Sequence, residues 1–133
     1  MATNSLRKRA PSLPIALFTL SCVISGCEGA GPNPPDATLS SAAARGAGAR
    51  LFAAHCAICH GPDGEGNGQR QSFMVPAPAN LTLPPWSQRA HASRTFLAIR
   101  DGVRGTAMAS WPTLSDPQTW QLVAYIESLG QGR

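Results

Sequence analysis

Cys56-Ala57-Ile58-Cys59-His60 sets two thiols three residues apart with an imidazole directly after the second. Thiols at this spacing add across the two vinyl groups of haem, and the adjacent imidazole then reaches the iron from the same side. Three other chemistries use part of the pattern. A thioredoxin-like redox pair calls for a strand-to-helix setting, whereas Leu51 to Ala54 reads as helix. A zinc site calls for two further ligands at short spacing, and the remaining cysteines, Cys22 and Cys27, lie near the N-terminus. A structural disulfide between Cys56 and Cys59 leaves His60 without a role. Covalent haem attachment uses all three residues.

Haem iron has two axial positions, and His60 fills one of them. Met74, Met108, His55 and His91 are the candidates for the other. His55 lies on the attachment helix, one residue before Cys56, and does not easily wrap to the far face. His91 stands near a helix start. Met74 sits in a Pro-rich loop, where a thioether also serves as a packing side chain. Met108 lies in Gly105-Thr106-Ala107-Met108-Ala109-Ser110-Trp111, a non-helical run just after a helix. A run of that kind can lay a thioether over the haem plane, so Met108 is the expected ligand.

These residues need elements to hold them. A first helix is predicted from about Ser41 to His55, rich in Ala42, Ala43, Ala44, Ala47 and Ala49. Gly46 and Gly48 each cost it about 1 kcal/mol, a cost that close packing on a missing side chain can offset. A middle helix is predicted from an N-cap at Ser93 to Asp101, ended by Gly102, with Phe96 and Ile99 on its buried stripe. Ser115-Asp116-Pro117-Gln118 is a capping-box pattern with Pro in the first turn, opening a last helix that runs to Leu129 before Gly130. Gly61 to Arg89 shows no periodicity and holds five Pro and four Gly. So long a loop in a compact domain needs something other than protein to pack on, and a haem supplies it.

The whole chain is 133 residues with 13 Gly, 12 Pro and only 14% charged residues. That length excludes a Rossmann or barrel enzyme. The formal charge of +4 is concentrated at Arg7-Lys8-Arg9; beyond Gly26 eight arginines face seven acids, which leaves no phosphate-tracking basic patch. Arg7-Lys8-Arg9 followed by the apolar run from Leu13 to Ile24 reads as an export signal, too short to span a bilayer. It closes in Ile24-Ser25-Gly26-Cys27, which resembles a bacterial lipobox with Cys27 as the lipidated first residue. Residues 1–26 are thus expected to be a signal peptide, 27–40 a lipid-anchored Pro/Gly tether, and 41–133 the functional domain.

From about Gly46 to Gly130 the sequence resembles the class I single-haem cytochromes c of bacterial respiratory chains. The resemblance is carried by Gly48, Phe52 and Cys56 in the first helix and by Cys-x-x-Cys-His-Gly with Asp63-Gly64-Glu65-Gly66-Asn67-Gly68. It continues through Pro76-Ala77-Pro78-Ala79-Asn80-Leu81-Thr82, Gly102, Thr106-Ala107-Met108 and Trp120 to Ile126. It implies an all-α cytochrome c fold, three to four short helices and long loops wrapped around one covalently bound haem c. It implies Gly48 against Tyr125 where the first and last helices cross, and a backbone carbonyl near Pro76 or Pro78 accepting from His60. Ala109 stands where the family commonly has Pro after the ligand Met. Trp86, Trp111, Arg94 and Arg104 are all open as propionate donors.

With Cys56 and Cys59 bonded to haem and His60 and Met108 on iron, no position stays open for a substrate. The implied function is one-electron transfer rather than catalysis. The chain is expected on the periplasmic or extracellular face of a bacterial membrane. There it would pass electrons from a quinol-oxidising complex or dehydrogenase to a terminal oxidase or reductase. A fixed haem subunit of such a complex, and a ligand-binding haem sensor or enzyme with a labile Met108, are the alternatives.

Overall fold

A computed structural model describes residues 32–131 of the chain. The export signal, the lipobox and Cys27 lie outside the described residues. Five α-helices appear in chain order: α1 Asp36–Ser40, α2 Ala42–His55, α3 Ala57–His60, α4 Ala92–Asp101 and α5 Asp116–Leu129. Two single 3-10 turns, Gln71–Phe73 and Arg89–His91, interrupt the long connection between α3 and α4. No strand occurs among the described residues, so the fold is all-α.

α2 runs over Ala42–His55, close to the expected span from about Ser41 to His55. The Ser41 hydroxyl accepts from the Ala44 amide at 3.2 Å, satisfying one of the orphan donors of the first turn. α5 starts on a capping box, with the Ser115 amide donating to Gln118 Oε1 at 2.9 Å and Pro117 in the first turn, where its missing N–H is no loss. α4 departs from expectation. Its N-cap is His91 rather than Ser93, two residues early, and it has no side-chain cap. The Ser93 hydroxyl is engaged elsewhere: it donates to the Pro32 carbonyl at 2.9 Å.

That bond marks a second correction. The tether expected over 27–40 is not unpacked along its whole length. Residues 36–40 form α1, and Leu39 is 2% exposed in the core beneath it. One buried leucine contributes roughly 1.5–3 kcal/mol, which a composition reading of the Pro/Gly-rich stretch does not weigh. Residues 36–40 thus pack with the domain that follows.

α2 and α5 cross at Gly48. A Cβ there would collide with the Gln121 carbonyl and stand 2.9 Å from the Tyr125 Cβ, so glycine is what lets the two backbones touch. Beside the crossing, Phe52 and Tyr125 pack with ring centroids 5.2 Å apart. Phe96 of α4 meets Trp120 of α5 at 4.5 Å. Phe52, Phe96, Leu122 and Val123 are fully buried at the centre of the core. Gly46, by contrast, is exposed, and a Cβ there would meet nothing within 4 Å.

Glu127 is the one carboxylate buried in this frame, 2% exposed on α5. Among the described residues its one close counter-charge is Arg89, whose Nε stands at 3.3 Å, and Arg89 in turn reaches Asp36 Oδ1 at 3.5 Å. Neither carboxylate oxygen completes a hydrogen bond. Burial pushes the Glu127 carboxyl above its ordinary 4.5; Arg89 pulls it back in part and Asp36 adds to the rise. The folded chain therefore holds this proton more tightly than the unfolded chain. Stability from this group is full below its unfolded value and is lost as pH rises through the raised folded value.

Two outcomes test this frame. Gly46→Ala should raise stability by about 0.5–1 kcal/mol through helix propensity, whereas Gly48→Ala should cost about 1–3 kcal/mol or more from overpacking, both read by denaturant unfolding. Glu127→Gln should gain on the wild type as pH is raised from about 4 to about 8, because it removes the buried ionisation; unfolding midpoints across that range give the difference directly.

Candidate functional site

α2 runs into the attachment turn without a linker: the Cys56 amide still donates to the Phe52 carbonyl at 2.8 Å. α3 then holds Cys59 and His60 on a single turn. A helix this short leaves its last carbonyls orphaned, and the following loop supplies their donors. The Arg70 amide donates to the Ile58 carbonyl at 3.0 Å, Gly68 to Cys59 at 3.1 Å and Gly66 to His60 at 2.7 Å. Gly66 sits at φ +83°, and a Cβ would stand 2.6 Å from the Pro78 carbonyl oxygen; left-handed backbone and close approach both demand glycine there.

His60 is oriented from behind. Its Nδ1–H donates to the Ala79 carbonyl at 3.0 Å. The expected acceptor lay near Pro76 or Pro78; it is the carbonyl one residue past Pro78. Asn80 steadies that carbonyl's neighbourhood by accepting from the Thr82 amide at 3.0 Å and the Thr82 hydroxyl at 2.6 Å. With Nδ1 occupied, Nε2 is the nitrogen left to ligate a metal. Burial pushes the His60 pKa down and the Ala79 bond partly offsets it, so the imidazole is held in the neutral form that ligates.

The thiols behave unlike a redox pair. Cys56 and Cys59 are both free, and burial, with Cys59 alongside, pushes the Cys56 thiol up to about 11. Dithiol oxidoreductases need the opposite shift, towards thiolate. Among the described residues no group of three His, Cys, Asp or Glu is placed to hold a metal ion, so the zinc reading has no ligand set here.

These residues line a cavity of about 460 Å³, within the range of cofactor sites. Cys56, Cys59 and His60 form one part of its wall with Pro76, Pro78 and Ala79. Ile99 of α4, Ile126 of α5 and the run from Thr106 to Ala109 form another. Met108 therefore reaches the cavity, and it also packs against the hydrophobic core. The loop carrying it is closed by hydrogen bonds rather than loose. The Val103 amide donates to the Met108 carbonyl at 3.0 Å, the Thr106 hydroxyl donates to the Val103 carbonyl at 2.8 Å, and the Met108 amide donates to that hydroxyl at 3.1 Å. Thr106 thus does part of what a proline after Met108 would do.

The rivals divide. Met74 and His55 also line the cavity, whereas His91 is half-buried at the start of α4, away from it. The His55 ring packs on Trp111, with centroids 5.3 Å apart. Of the four proposed propionate donors, Trp86 and Trp111 line the cavity; Arg94 stacks over Trp86 at 5.5 Å, and Arg104 is not in the wall. Sequence reasoning missed Arg70, the one charged side chain of the lining. Nothing in its local pattern distinguishes it from a surface arginine; only the Arg70–Ile58 backbone bond brings it there.

A covalent haem fits this chain. Two thiols and a preoriented imidazole share one wall, a thioether reaches the cavity, and the rest of the lining is almost wholly apolar.

Comparison with known proteins follows the same lines. Residues 46–130 match the family described as Cytochrome c. The chain is 37% identical over 87 residues to the cbb3-type cytochrome c oxidase subunit FixP of Azorhizobium caulinodans, covering 65% of this chain and 27% of that protein. It is 35% identical over 95 residues to subunit CcoP of Rhodobacter capsulatus, covering 65% and 30%. It is 28% identical over 82 residues to thiosulfate dehydrogenase of Stutzerimonas stutzeri, covering 61% and 26%. The chain thus spans less than a third of these curated relatives. A chain of the Kuenenia stuttgartiensis reducing HAO-like protein complex Kustc0457/Kustc0458 superposes with a TM-score of 0.59 at 23% identity, over 92% of this chain and 51% of that one, a likeness of fold.

Replacing Cys56 and Cys59 together by Ser should abolish haem staining on a denaturing gel and leave little folded protein. Haem that stays with the denatured double variant would exclude thioether attachment at these positions.

Proposed function

Because the chain belongs to the cytochrome c family, whose members carry covalent haem c and transport electrons, we propose that it is a single-haem electron carrier with His60 and Met108 as axial ligands. The observation that carries this reading is the shared cavity: the attachment turn and His60 in one part of its wall, Met108 in another, with no further titratable side chain but His55 and Arg70. The haem supplies the one-electron chemistry of its iron. The chain's residues hold it and set its electronics. Cys56 and Cys59 fix it covalently, the Ala79 carbonyl sets the His60 ring, and Thr106 holds the Met108 backbone in place. An apolar wall excludes water and disfavours extra charge.

Met108 is preferred over Met74 because it packs against the hydrophobic core on a hydrogen-bonded loop. Met74 follows a single 3-10 turn and precedes the exposed Val75. A thioether favours ferrous iron relative to a second imidazole, so the reduction potential is comparatively high. With His60 and Met108 both holding the iron, no position would be left for a substrate, and electron transfer rather than substrate turnover would be the activity.

In the cell this carrier is exported and held by a lipid at Cys27, on the periplasmic or extracellular face of a membrane. No helix among the described residues is long and apolar enough to cross one. Its partners are redox proteins: a quinol-oxidising complex or dehydrogenase as donor, a terminal oxidase or reductase as acceptor. A second reading, a permanent haem subunit of such a complex, is favoured by the oxidase-subunit relatives. Co-purification with a fixed stoichiometric partner from native membranes selects the second reading; isolation as a lone chain selects the first.

The ligand assignment is tested by substitution. Met108→His should keep the iron six-coordinate and lower its potential, and Met108→Ala should open the site to carbon monoxide or cyanide. Met74→Ala should change neither much. The reverse pattern in spectra and potentiometry transfers the role to Met74 and leaves haem attachment intact.

A further inference from the structure

We propose that Glu127 takes up a proton when the carrier is reduced and releases it on oxidation, so that the reduction potential follows pH. The inference rests on the haem-carrier reading above and adds to it a second charge that moves with the electron.

Glu127 is placed for this on three counts. It is 2% exposed, and neither carboxylate oxygen completes a hydrogen bond. A carboxylate in that state is poorly held against protonation. It adjoins the cavity: Ile126, the preceding residue of α5, lines the wall, and so does Trp86, three residues before Arg89. It also has a way to solvent. The Arg89 side chain at 3.3 Å is 42% exposed, and that of Asp36 beyond it is 87% exposed.

The surrounding charges set the balance between its two forms. α5 packs against α1, α2 and α4. α1 brings Asp36, and the turn Arg89–His91 brings Arg89 and a half-buried His91. α2 carries Arg45, which donates to the Ser40 carbonyl at 3.1 Å, with Arg50 and His55. α4 carries Arg94, stacked on Trp86, Arg100, paired with Asp116 at 2.9 Å, and Asp101. α5 itself adds Tyr125 and that Asp116. Of these, Arg89 and Asp36 are the ones that act on Glu127: burial raises its pKa, Arg89 lowers it and Asp36 raises it again.

Ferric haem carries one more positive charge than ferrous haem. The ionised carboxylate is therefore better stabilised beside the ferric form, and Glu127 holds its proton more tightly once the electron has arrived. At an effective dielectric of about 20, unit charges about 12 Å apart alter each other's binding about tenfold. The donor redox protein supplies one electron to iron, and solvent supplies up to one proton to the Glu127 carboxylate. Oxidation returns both, so low pH favours the reduced carrier and high pH the oxidised one.

The test is redox titration of the haem-loaded full chain from about pH 4 to about pH 9. The wild-type midpoint should fall as pH rises through the Glu127 transition; a tenfold difference in proton affinity between the redox states makes the whole fall about 59 mV. Glu127→Gln should remove that fall. Asp36→Asn takes away a charge that raises the Glu127 pKa, so the same fall should move to lower pH, which a merely structural Glu127 does not predict. Ferrous-minus-ferric infrared spectra of the wild type should gain a protonated-carboxyl band that Glu127→Gln lacks. Wild-type and Glu127→Gln midpoints that run parallel with pH, or wild-type spectra without that band, overturn the proton coupling and leave the haem reading intact. A chain that takes up no haem gives no midpoint at all; the haem reading then fails, and the coupling with it.

Discussion

Two backbones touch where α2 crosses α5, and they do so only because Gly48 has no side chain to keep Gln121 and Tyr125 away. Much of the molecule hangs from that crossing. α2 passes directly into the attachment turn, so its placement sets where Cys56, Cys59 and His60 stand. α5 carries Leu122 and Val123 into the core and Ile126 into the cavity wall. Spreading the helices by a methyl group would shift Cys56, Cys59 and His60 relative to Ile126 in the cavity wall. A core this small has few other contacts to absorb such a shift.

The cavity shows why so little secondary structure suffices. Its walls come mostly from irregular backbone, yet that backbone is tied at specific points. Three amides of the Gly-rich loop answer the carbonyls at the end of α3, the Ala79 carbonyl answers His60, and the Thr106 hydroxyl answers the Met108 amide. Each such bond is worth only about 0.5–1.5 kcal/mol net. Their effect is positional: they fix the His60 ring and the Met108 backbone where the surrounding chain is irregular. Neutral His60 and the raised Cys56 thiol fit the same picture, an apolar pocket that suppresses charge before any cofactor chemistry begins.

Motifs that act within a few residues were legible in the sequence. The Ser115–Gln118 capping box and the Gly102 and Gly130 stops work locally, and each was found where it was expected; the Cys56 to His60 motif is equally local. The Gly48–Tyr125 contact followed from resemblance. What escaped depends on long-range partners. Ser93 has the type of an N-cap but bonds to Pro32, sixty-one residues away. Leu39 sits in a stretch whose composition says spacer, and only the groove beside α5 makes it core. Arg70 enters the cavity wall through a backbone bond that no side-chain pattern announces. The choice of Ala79 over the neighbouring carbonyls is a matter of one residue of chain path, below the resolution of any motif.

The Gly-rich loop has one further property. Gly61, Gly64, Gly66 and Gly68 are buried, and the positions between them, among them Asp63 and Glu65, are exposed. The loop grips the attachment turn through amides, which every non-proline residue has, and not through side chains. Its outward residues are therefore under weak constraint from that grip. Evolution, or an engineer, can repaint the charge along this edge of the molecule and so change which surfaces it meets, while the grip on the attachment turn remains as it was.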